Sequence, residues 1–101
     1  MQKIQITMIF WYNIFRMQKV REFIKNKPYL VWYTKNYDEL SEKSIVEGVL
    51  NYGNWDDYLF IENSLGLSRV GNIFNDLKNE KRTNLRPQTI NYFSNYFNKY
   101  A

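Results

Sequence analysis

The sequence predicts a mostly α protein: a compact bundle of four or five short helices with one extended aromatic segment. Three observations lead there. Apolar residues recur at helical spacing through most of the chain after residue 40. Helix punctuation falls between those runs, at Ser41, Gly53, Asn54, Gly66 and Pro87. One short run, "YLVWY" at Tyr29–Tyr33, is dense in β-formers and aromatics and bounded by Pro28.

The elements follow in chain order. Residues 1–16 read as an apolar N-terminal extension, and residues 17–101 as a single small helical domain. In "IQITMIFWYNIF", Ile4–Phe15, residues Ile4, Ile6 and Met8 alternate as in a strand, while Ile9, Tyr12 and Arg16 suit a helix. Both readings stay open. "MQKVREFIKN", from Met17, would itself make a good start, so the first sixteen residues can be read as upstream sequence. The apolar run is too short to span a bilayer and lacks the small-residue cleavage site of a signal peptide. The expected location is cytoplasmic, with no membrane partner.

Val20, Phe23 and Ile24 space as a short helix ending before Lys27-Pro28, because a residue before proline avoids the helical region. Tyr29–Tyr33 then reads as extended, a strand-like strap. Asp38 or Ser41 caps the next helix, whose stripe is Ile45, Val46, Val49 and Leu50 and whose stop is Gly53. Asn54 caps another, with Asp56 and Asp57 in the first turn, where the helix dipole favours carboxylates. Trp55, Tyr58, Leu59, Glu62 and Leu65 follow, and Gly66 ends it. Ser68 is the expected cap of the fourth, with Val70, Ile73, Phe74 and Leu77 inward. "EKRTNLR" is a polar loop. Pro87 suits a first helical position. Ile90, Phe93 and Phe97 line one face of the last helix, with Tyr92, Tyr96 and Tyr100 beside them.

Composition narrows the function. The chain has 101 residues with no Cys and no His. Disulfides, thiol nucleophiles and thiolate metal sites are excluded, and so are the commonest general base and metal ligand. No catalytic, cofactor-binding or metal-ligating set emerges; Asp56 and Asp57 read as first-turn charges. The expectation is a non-enzyme without a cofactor. Aromatic residues make up 19% of the chain, too many for so small a core. An AT-rich coding sequence would favour Tyr and Phe by itself, but some rings must reach the surface, where Tyr and Trp are typical interface residues.

Net charge is +4, unevenly spread. Residues 1–36 carry seven basic and one acidic side chain, residues 37–68 one basic and seven acidic, residues 69–101 six basic and two acidic. An acidic middle between basic ends can fold back on itself, unlike a uniformly basic nucleic-acid surface.

"NSLGLSRVGNIFNDLK", Asn63–Lys78, has the outline of a helix-turn-helix with Gly66 at the turn. The second helix does not fit. The sixth and ninth residues after the glycine should be apolar to clamp a recognition helix, and they are Asn72 and Asn75. The stretch reads as two core helices joined by a capped turn. If nucleic acid is bound instead, Arg69, Lys78, Lys81, Arg82 and Arg86 are the residues to do it, with DNA and RNA both open.

"IVEGVLNYGNWDDY", "LGLSRVGNIF" and "LRPQTINYFSNYF" together resemble a family of short bacterial and archaeal proteins, many encoded beside nucleotidyltransferase-like toxins of the abortive-infection type. The likeness covers about residues 27–98. It includes the strap, Gly53, Gly66, and Pro87, Thr89, Asn91 and Phe93. Two positions depart from it: Tyr33 stands where the strap of the family ends in Asp, and Gly48 where the helix carries Arg. The resemblance implies an antitoxin-like protein that binds and masks a toxin, a nucleotidyltransferase-like one in particular. The residues expected to meet that partner are Trp32, Asn91, Tyr92, Tyr96 and Phe97.

Overall fold

The computed structural model describes residues 15–31 and 40–101, and every structural statement below concerns these. They form a mostly α bundle of five helices with no strand among them. Helix α1 covers residues 15–25. A 3-10 turn, Pro28–Val31, follows it. Then come α2 (Glu42–Tyr52), α3 (Trp55–Leu65), α4 (Leu67–Lys78) and α5 (Pro87–Tyr100). α1 runs across the expected domain boundary at residue 16, and Arg16 Nε donates to the Ser64 carbonyl at the end of α3. Residues 1–14, Trp32, Tyr33 and Asp38 lie outside the described residues, and with them the alternation at Ile4–Met8 and the second half of the strap.

Local chemistry sets the helix ends. Ser41 Oγ accepts from the Ser44 amide and caps α2. At α3 the Asn54 side chain accepts from the Asp57 amide at 2.8 Å, and the Asp57 carboxylate accepts from the Asn54 amide at 3.0 Å. Both orphan donors are thereby satisfied, a reciprocal capping box. Gly66 ends α3 at φ +95°, a conformation that disfavours a side chain, and its carbonyl already accepts the Val70 amide. One residue therefore closes α3 and opens α4. This corrects the expectation for Ser68, which sits inside the first turn while Gly66 holds the cap position.

The strap also differs from expectation. Leu30 and Val31 are buried, but in a 3-10 turn rather than an extended strand. The Leu30 amide bonds back to the Lys27 carbonyl, so the chain curls onto α2. A Cβ on Gly48 would lie 2.2 Å from the Leu30 carbonyl oxygen and 3.1 Å from a Val31 methyl. The absent side chain at Gly48 is what lets the turn press so closely on α2.

α2 packs against the turn, α3 and α4, and α4 packs in turn on α5. Val20, Ile24, Leu30, Ile45, Val46, Val49, Ile61, Val70, Phe74 and Leu77 make the fully enclosed core. Phe23 stacks on Phe60 at 4.3 Å between ring centroids and binds α1 to α3. Ile73 and Ile90 are only partly buried at its edge. No helix among the described residues is long and apolar enough to cross a membrane.

Candidate functional site

α3 and α5 are joined by rings. Tyr58 sits at the centre, with Phe93 at 4.9 Å, Tyr96 at 5.6 Å and Trp55 at 5.1 Å between centroids. Glu62, one turn on from Tyr58, accepts from the Tyr58 hydroxyl at 3.0 Å and from the Tyr96 hydroxyl at 2.6 Å, both on one oxygen. Burial and these bonds raise both phenols, Tyr96 to about 12 and Tyr58 further.

The cluster reaches the surface at its N-terminal end. Trp55 is 44% exposed and Tyr92 54%, with their rings edge to face at 6.3 Å. They border a groove of about 320 Å³ between the end of α2, the start of α3 and the start of α5. Tyr58 and Phe93 also line it. On the α5 side it is bordered by Arg86, whose guanidinium lies 5.8 Å from the ring of exposed Tyr52.

A buried asparagine positions this rim. Asn51, 8% exposed at the end of α2, donates to the Asn84 carbonyl at 2.9 Å and accepts from the Arg86 amide at 3.0 Å. Its two-faced amide clamps the polar loop and fixes where α5 begins. The sequence places Trp55 on α3 without a binding role, and it marks neither Asn51 nor Tyr52.

The expected partner residues are only partly gathered here. Tyr92 is at the groove. Tyr96 is half-buried and tied to Glu62, so it supports the face more than it presents one. Asn91 is exposed on α5 and outside the groove lining. Phe97 departs from expectation. It is 7% exposed and packs on Phe74 at 5.2 Å and Phe93 at 5.7 Å, so it belongs to the core. Trp32 lies outside the described residues.

The five basic residues differ in their surroundings. Arg69, near the start of α4, makes a two-pronged ion pair with Glu42 on α2, with its second nitrogen at 2.9 Å. Lys78 lies over the Phe74 ring at the other end of α4. Lys81 and Arg82 are exposed in the loop with no ion-pair partner among the described residues. Arg86 belongs to the groove. Asn72 and Asn75 are exposed, as the failed helix-turn-helix register requires.

Asp57 is a second centre. Its carboxylate is fully buried and takes an ion pair from Lys27, the Tyr29 hydroxyl at 2.8 Å and the Asn54 amide. All of its partners are structural, and Asp56 beside it is exposed. No group of three or more potential metal ligands occurs among the described residues.

No protein-family model, curated protein or solved structure matches the chain.

Proposed function

We propose that the protein is a non-catalytic, antitoxin-like module that binds a partner protein through the groove at Trp55, Tyr92 and Arg86. The exposed ring pair carries this reading. Trp, Tyr and Arg are the residue types that concentrate binding energy at interfaces, above all around a pocket. Here Trp55 packs on Tyr58 and Tyr92 on Phe93, which limits the side-chain entropy those two rings lose on docking. The resemblance of residues 27–98 to antitoxin-like proteins supports the same direction and makes a nucleotidyltransferase-like toxin the partner to look for. Masking would follow from covering the toxin surface.

A nucleic-acid-binding regulator is the second reading, favoured by exposed Lys81 and Arg82 beside Lys78. Arg69 is engaged by Glu42, which reduces that set.

Capture of tagged protein from its own cell extract, with and without nuclease, separates the two. A stoichiometric protein retained after nuclease supports the first. Nucleic acid recovered without any protein, and released steeply by salt, overturns it in favour of the second.

A further inference from the structure

One wall of the groove is built on Asp57, and Asp57 is held from behind. Gly53, Asn54 and Trp55 line the groove, whereas Asp57 is fully buried and does not line it. A Cβ added to Gly53 would lie 3.0 Å from the Asp57 Cβ, so wall and acid are in close contact. The two capping-box bonds with Asn54 fix the first turn of α3, and Trp55 is the first residue of that turn.

The other partners of the carboxylate come from outside the wall. Lys27 pairs with Oδ1, and the Tyr29 hydroxyl donates to Oδ2, the oxygen that also accepts the Asn54 amide. The Lys27 ammonium lies 5.1 Å from the Phe23 ring, which ties α1 to the same acid. Neither Lys27 nor Tyr29 lines the groove. Both reach solvent, Tyr29 at 50% exposure and the Lys27 side chain at 34%.

A buried carboxylate keeps its place only while its bonds are made. If the 3-10 turn lifts, Lys27 and Tyr29 leave together and one amide remains. The favourable response of the acid is then to turn toward water, which gives up the Asn54 amide and opens the capping box. The first turn of α3 loosens, and Trp55 with it.

We propose that Lys27 and Tyr29 are positioning residues for the groove. Acting through Asp57, they set the geometry of the wall at residues 53–55, so seating of the turn and binding at the groove are one coupled equilibrium. This rests on the protein-binding reading above and names the regulation of that site. Coupling is reciprocal, so a partner clamped on Trp55 also tightens the turn.

The test is nuclear magnetic resonance of the full chain as wild type, Tyr29→Phe, Lys27→Gln and Arg69→Gln. Tyr29→Phe keeps the ring and removes only the hydroxyl. Arg69→Gln is the control, since it breaks an ion pair at the other end of α2. The first two variants are each expected to move the Asn54 and Trp55 amides and the Trp55 indole. They should also speed exchange of the Asp57 amide, which the cap protects. Arg69→Gln should leave these signals in place, because loss of stability alone does not move native resonances. Capture of the partner should fall about fivefold in Tyr29→Phe. Unchanged Asn54 and Trp55 signals in both variants, or equal movement in Arg69→Gln, would overturn the proposal. Full capture by Tyr29→Phe where Trp55→Ala has lost it would do the same. If capture is indifferent to Trp55 and Tyr92 alike, the protein-binding reading falls by itself, and the resonances still decide whether the turn positions the wall.

Discussion

The Tyr29 hydroxyl donates to the buried carboxylate of Asp57 at 2.8 Å, so a residue of the 3-10 turn is fastened to the first turn of α3. Lys27 pairs with the other oxygen of the same carboxylate. One acid therefore caps α3 from within and holds the turn against the bundle from outside.

Burial pushes the Asp57 carboxyl up, but the bonds from Lys27, Tyr29 and the Asn54 amide outweigh it and leave it below the usual carboxylate value. The native state favours the ionised form. The stability this contributes is complete above the unfolded value of about 3.9 and is lost as pH falls through the lowered native value. Asp57→Asn should cost about 2–3 kcal/mol at neutral pH, since it weakens the cap and leaves Lys27 unpaired. Urea midpoints against pH check this. The variant should lose the acid-side dependence contributed by Asp57.

Gly48 sets two effects against each other. Helix propensity alone makes Gly48→Ala stabilising by about 1 kcal/mol. The 2.2 Å approach of the new Cβ to the Leu30 carbonyl opposes it. Backbone cannot rotate aside as a side chain can, so overpacking of about 1–3 kcal/mol should win. Chemical denaturation should show net destabilisation, and hydrogen exchange should show the loss concentrated at Leu30 and Val31.

Asn51→Ala should free the loop before α5. Removing it strands the Asn84 carbonyl and the Arg86 amide, at a cost of about 1–3 kcal/mol. Proteolysis within residues 79–86 should accelerate while the α3 amides keep their protection.

Glu62→Gln should be visible in tyrosine titration. The native value of about 12 at Tyr96 lies above the unfolded value of about 10. This phenol therefore contributes stability that is complete below pH about 10 and is lost as pH rises through its native value. Replacing the carboxylate with a neutral amide should bring Tyr96 back toward its ordinary value, as read by ultraviolet absorbance.

The helices were legible because their signals are local. Gly53, Asn54, Gly66 and Pro87 act within a turn of where they stand, and apolar spacing found α2 to α5. The failures share a cause. Ser68 looked like a cap because the preference for serine is strong, yet Gly66 takes that place through a backbone bond. Tyr29–Val31 looked extended because β-formers are dense there, but tertiary contact with Gly48 curls it. Phe97 and Tyr92 lie on neighbouring stripes of one helix, and the position of α4, whose Phe74 packs on Phe97, decides which is covered. Asp57, Asn51 and Glu62 take partners 28 to 35 residues away in sequence, and nothing local announces such pairs. The same holds for Arg69, whose charge is answered by Glu42.

The most direct test of the central claim is quantitative capture of the partner by wild type, Tyr92→Ala, Trp55→Ala, and the pair Lys81→Gln with Arg82→Gln, after nuclease treatment. The account predicts that either ring deletion lowers capture by at least about tenfold, a hot-spot loss, with circular dichroism unchanged for Tyr92→Ala. It predicts that the loop pair has little effect. Full capture by both ring variants, with loss on changing Lys81 and Arg82, would contradict it.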